Sequence, residues 1–84
     1  MKEYLPIGSI ITIGDSKQKL MIYGRGQIMR NNEQVWDYVA CMYPYGHIDE
    51  KFNCFFNHAD ISEIIWVGYV DKEELIFKEH LYNI

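Results

Sequence analysis

Eighty-four residues, 49% of them apolar and 15% aromatic with a net charge of −4, exclude a disordered chain, which needs low hydrophobicity and high net charge. They hold one domain, residues 1–84, rather than several. An acidic chain repels phosphate backbones, which argues against nucleic acid as a partner.

The charge is uneven. Residues 1–30 carry five basic and two acidic side chains, a balance of +3; residues 31–84 carry three basic and ten acidic, a balance of −7. The basic first third is the only stretch that a nucleic-acid-binding barrel would use.

The opening MKEYLPIGSIITIGD raises a choice between an export signal and a first strand. A signal needs a net positive start, an unbroken apolar stretch and a small-residue cleavage site. Here Glu3 offsets Lys2, and Pro6, Gly8, Ser9 and Thr12 interrupt the apolar run. The run is also far short of the ~20 residues that span a bilayer. The β-branched Ile10, Ile11, Thr12 and Ile13 favour a strand over 8–13, with YLPIG as its lead-in. A cytoplasmic protein without a membrane segment is expected, and signal-less export with a partner stays open.

The second strand is expected over 19–29, where Gly24 and Gly26 mark a bulge or bend. Asn31-Asn32-Glu33-Gln34 reads as a polar turn. A third strand follows over 35–44, then the YPYG turn, a loop, and a short fourth strand over 51–56. Asn57 and Asp60 suit one helical turn, and 63–69 reads as the fifth strand. The chain closes on a helix over 72–83. Asp71 is its N-cap, Glu74 occupies the third helical position, and Glu74–Lys78 is an outward i,i+4 pair.

Short curled strands and a terminal helix predict a mainly β fold: a small SH3-like five-stranded antiparallel barrel over residues 4–69 with a C-terminal α-helix. The alternative is an open antiparallel sheet with one helix packed on a face. Strand three places Trp36, Tyr38, Ala40 and Met42 on one side, with Val39, Cys41 and Tyr43 on the other. Strand five sets Ile64 and Trp66 against Ile65, Val67 and Tyr69. Both faces are apolar, and one helix of ~18 Å cannot cover what the core leaves over. The surplus aromatic surface predicts a protein partner, with self-association left open.

Catalytic patterns are weak. Cys41 and Cys54 do not form CxxC, and both read as small buried hydrophobes. His58 lies four residues after Cys54, but a turn histidine beside a core cysteine is the simpler reading. His47 and Asp49 are too few for zinc, which takes three or four ligands. Gly24-Arg25-Gly26-Gln27 lacks the length and the following helix of a phosphate loop and reads as a strand bend with an exposed arginine. The expectation is a non-enzyme with no cofactor and no metal.

The blocks YLPIGSIITI, KLMIYGRGQ, WDYVACMYPYG and FFNHADISEIIWVGY occur in the order of a known pattern. Over roughly residues 4–77 the chain resembles domain of unknown function family 4176, small proteins of Gram-positive Firmicutes. Tyr4-Leu5-Pro6-Ile7-Gly8-Ser9, Gly24-Arg25, Gln27, Asp37-Tyr38, Tyr43-Pro44, Gly46, Phe56-Asn57-His58, Asp60-Ile61 and Gly68-Tyr69 match it. Ala59 stands where an acidic residue is usual. The resemblance implies an accessory role beside LXG-type toxins in type VII secretion loci, with no established catalytic residue. The expected function is a protein-binding adaptor or chaperone-like module. Arg25, Tyr45, Trp66 and Tyr69 are its candidate contacts, since interface anchors favour Trp, Tyr and Arg. Alternatives are an immunity protein that blocks a toxin's catalytic domain and a small nucleic-acid-binding barrel.

Overall fold

The computed structural model describes residues 3–28 and 34–83. The turn expected at Asn31-Asn32-Glu33 lies outside them. The strands are β1 (Ile10–Ile13), β2 (Leu20–Ile28), β3 (Val35–Met42), β4 (Cys54–Phe56) and β5 (Ile61–Trp66), and the helix is α1 (Lys72–Leu81). Short 3-10 turns, Glu50–Phe52 and His58–Asp60, bracket β4.

All strand pairs are antiparallel, in the order β4-β3-β2-β1-β5. The sheet is open: β4 and β5 are its two margins, so the architecture is the open sheet with one helix rather than the closed barrel. A bulge at Tyr23, between the pairs Ile22↔Ala40 and Gly24↔Val39, bends β2 where the glycines suggested. One such bend does not bring the margins together.

The lead-in YLPIGS is stitched into the sheet. Ser9 N–H donates to the Pro6 carbonyl at 3.2 Å, and Gly8 sits at φ +89°, a conformation that L side chains resist. Gly8 N–H then donates to Ile22 and Ile22 N–H to Ser9, at 2.8 and 2.9 Å, which prolongs the β1–β2 pairing. Tyr4 and Leu5 thereby enter the core with Ile11, Leu20, Ile22, Tyr38, Ala40, Phe56 and Leu81. Tyr38 is its centre. It stacks on Phe56 at 5.3 Å and meets Tyr4 edge-on at 5.9 Å.

The opposite face is apolar too, with Ile10, Val39 and Cys41 buried. Strand five departs from simple alternation. Ile11 pairs with Ile64 and Ile10 with Trp66, so Ile65 is an extra residue in the register. Ile64 therefore shares the core side with Ile11, and Trp66 joins Ile10 on the back. A second shift, between Thr12↔Glu63 and Ile13↔Ile61, adds Ser62.

α1 starts as its sequence dictates. Asp71 accepts from Glu74 N–H at 3.0 Å. Glu74 and Lys78 do not pair with each other; each ties the helix to the body. Glu74 grips Arg25 through two hydrogen bonds of 2.5 and 2.6 Å, and Lys78 reaches Glu3 at 2.5 Å. Leu81 is the buried residue of the helix, and Tyr82 lies 5.5 Å from Tyr4.

Candidate interaction surface

Residues of the matched pattern meet around Tyr38. Its hydroxyl accepts from Leu5 N–H at 2.9 Å and shares a 2.7 Å hydrogen bond with His58 Nδ1. Asp37 accepts from His58 N–H at 2.8 Å, and Asn57 Oδ1 accepts from Asp37 N–H at 3.2 Å. Asp60 in turn accepts from Asn57 N–H at 2.9 Å. The network fastens the 57–60 turn and the YLPIGS segment to β3. His58 thus gives its Nδ1 to Tyr38, and burial pushes the Cys54 thiol up from its ordinary value, with the charge of Asp60 adding to the effect. That is the reverse of the lowered pKa that activates a thiolate. Among the described residues, no cluster of three or more His, Cys, Asp or Glu is placed to hold a metal.

Tyr38 predicts a pH dependence. Burial raises its pKa from 10.0 to about 12. Below pH 10 the hydroxyl is protonated in both states. Above it the unfolded chain releases a proton that the folded chain keeps, so stability falls by roughly 2–3 kcal/mol as pH rises to about 12. Urea midpoints at both ends of that window should diverge more for the native chain than for Tyr38→Phe. An equal loss in both would dissociate the alkaline step from Tyr38.

The four candidate contacts are not gathered at one place. Arg25 is not an exposed arginine but is 7% accessible. It is held by Glu74, by the Leu5 carbonyl at 3.2 Å and by the Phe77 ring at 5.3 Å. It forms the floor of an open groove of about 450 Å³ between Tyr23, Phe77 and Tyr69. Tyr69 is 80% exposed on that rim. Trp66, 66% exposed, borders a different groove of about 430 Å³ on the back of the sheet, with Ile10, Lys19, Met21, Tyr43 and Ile65. Tyr45 is exposed in the turn after β3 and lines neither groove.

Between Trp66 and Tyr69 the chain is pinned at Gly68. Its N–H donates to Ser9 Oγ at 3.0 Å, and Ser9 Oγ donates to the Pro6 carbonyl at 2.8 Å. This crossing fixes the two aromatics on either side of residues 7–9.

The surface is wider than those four residues. Ile64, Ile65, Val67 and Val70 are also exposed, as are Leu75, Ile76 and Phe77 of α1. The signal for the first group was the stretch IIWVGYV, in which polar residues never return. Among the described residues, no helix is long and apolar enough to cross a membrane.

A family model described as a domain of unknown function (DUF4176) matches residues 4–77. No curated protein and no solved structure matches the chain.

Proposed function

The chain belongs to the domain of unknown function family DUF4176, and from that membership we propose a non-catalytic, protein-binding accessory module. It acts in the cytoplasm as an adaptor or chaperone-like partner of an LXG-type toxin of a type VII secretion system. The observation that carries the reading is the run of exposed apolar side chains from Ile64 to Val70, with Trp66 and Tyr69 standing on either side of residues 7–9. Monomers rarely expose large contiguous apolar patches without a use for them. The matched pattern supports a division of labour. Tyr4, Ser9, Asp37, Tyr38, Asn57, His58 and Gly68 make internal contacts, whereas Tyr69, which also belongs to the pattern, and Trp66, which does not, stay exposed.

The test is co-purification with an LXG-type toxin, supplied as separate N-terminal and C-terminal halves. Capture of the N-terminal half is expected. Trp66→Ala and Tyr69→Ala should each weaken it by about 30-fold or more, the effect of losing a hot-spot anchor. Undiminished capture by both folded variants would remove this surface from the reading. Capture through the C-terminal half would favour the immunity alternative, for which the acidic balance of residues 31–84 is the supporting feature.

A further inference from the structure

The two margins of the sheet are built differently. β4 is three residues long and lies between two 3-10 turns, the kind of short edge that does not recruit another strand. β5 is six residues long, pairs with β1 alone, and continues into an exposed apolar segment. Between residues 61 and 70 the only charged side chain is Glu63, and there is no lysine or proline. Both are devices that protect edge strands, and β5 lacks them; its two extra residues, Ser62 and Ile65, bend the edge without placing a charge or a proline on it. Ile64, Ile65, Trp66, Val67, Tyr69 and Val70 are between 43% and 80% exposed. Of these, Ile64 and Ile65 lie within β5 and Val67 and Val70 follow it, so apolar side chains other than Trp66 and Tyr69 line the margin.

We propose that β5 pairs with β5 of a second copy, antiparallel across a two-fold axis, so that two five-stranded sheets join into one of ten strands. An antiparallel strand pair is compatible with a two-fold, because each residue meets its opposite number in both directions. Charge permits it. Glu63 is the single charge between residues 61 and 70, so a two-fold pairing centred beyond it, at Val67, keeps the two carboxylates farther apart than the ~8 Å screening length at physiological salt. A helix laid over the same side chains would leave the outer row of N–H and C=O groups unpaired, whereas a second β5 satisfies them. The bulge at Ile65 sends Trp66 to the back of the sheet. The joined sheet therefore leaves the Trp66 groove of each copy open, and the proposal stands apart from the toxin-binding reading.

Light scattering on the full chain, from micromolar to millimolar concentration, reads the outcome against a chain mass of 10.0 kDa. Twice that mass is expected, falling to the single-chain mass in Ile64→Lys with an unchanged circular dichroism spectrum. Ile76→Lys, on the exposed side of α1, should stay dimeric. A single-chain mass at every concentration overturns the proposal. So does a dimer that survives in folded Ile64→Lys or is lost in Ile76→Lys. If Ile64→Lys does not fold, Val67→Lys, just beyond the β1–β5 ladder, carries the same two readings. Trp66→Ala should lose toxin capture while keeping the dimer mass, so failure of either reading leaves the other measurable.

Discussion

Gly68→Ala should be strongly damaging, costing about 3 kcal/mol, the upper end of overpacking penalties. A Cβ at residue 68 would come inside 3.0 Å of the carbonyl oxygen and carbon of Ile7. Those are backbone atoms of the segment locked by Ser9 and Ile22, so neither side can yield cheaply. Moving residue 68 outward would break its hydrogen bond to Ser9 Oγ and leave that buried hydroxyl without its donor. Thermal unfolding reads the effect. A fall of at least ~12 °C is expected, given ~4–8 °C per kcal/mol for a domain of this size. A shift of only a few degrees would mean that the crossing of residues 7–9 by residue 68 is looser than its geometry.

The second large effect is asymmetric. Glu74→Leu should cost about 3–5 kcal/mol, because it strands the Arg25 guanidinium in a site where its side chain is 3% accessible. Arg25→Met combined with Glu74→Leu should recover most of that loss. Removing both charges also removes the desolvation they suffer, and an apolar pair packs between Leu5 and Phe77. A double-mutant cycle in urea separates the coupling from the packing changes. A small cost for Glu74→Leu alone would show that water reaches Arg25 and that the pair is a surface contact.

Much of the fold was legible because its signals are local. Asp71 announces α1, Asn57 and Asp60 announce the turn before β5, and the β-branched runs announce the strands. The rest depends on partners distant in sequence. Gly24 and Gly26 flank Arg25 as if to expose it, yet its carboxylate lies on α1, and Glu74 had a nearer lysine to claim it. The extra residue at Ile65 is hidden because no glycine marks it, and alternation then places Trp66 on the wrong side. Closure into a barrel and an open sheet use the same five strands. Only the pairing of β1 with β5, and of neither margin with the other, tells them apart. For the candidate surface, Trp66 and Tyr69 could be read from an apolar run with no polar return. Arg25 could not, because an arginine's burial depends on where its counter-charge is delivered.

β1 takes one neighbour from each side of the chain: Leu20 and Met21 of β2 close behind it, and β5 some fifty residues later, where Thr12 meets Ser62. This sets an order of assembly. The β2–β3–β4 meander closes through connections of at most eleven residues, whereas β1 cannot be enclosed until β5 has been made. The Gly68 clasp and α1 come later still. On the ribosome the YLPIGSIITI stretch therefore waits, with its apolar face uncovered, for most of the domain to be synthesised. The long wait between β1 and β5 makes the first strand the part of this protein most dependent on its surroundings during birth.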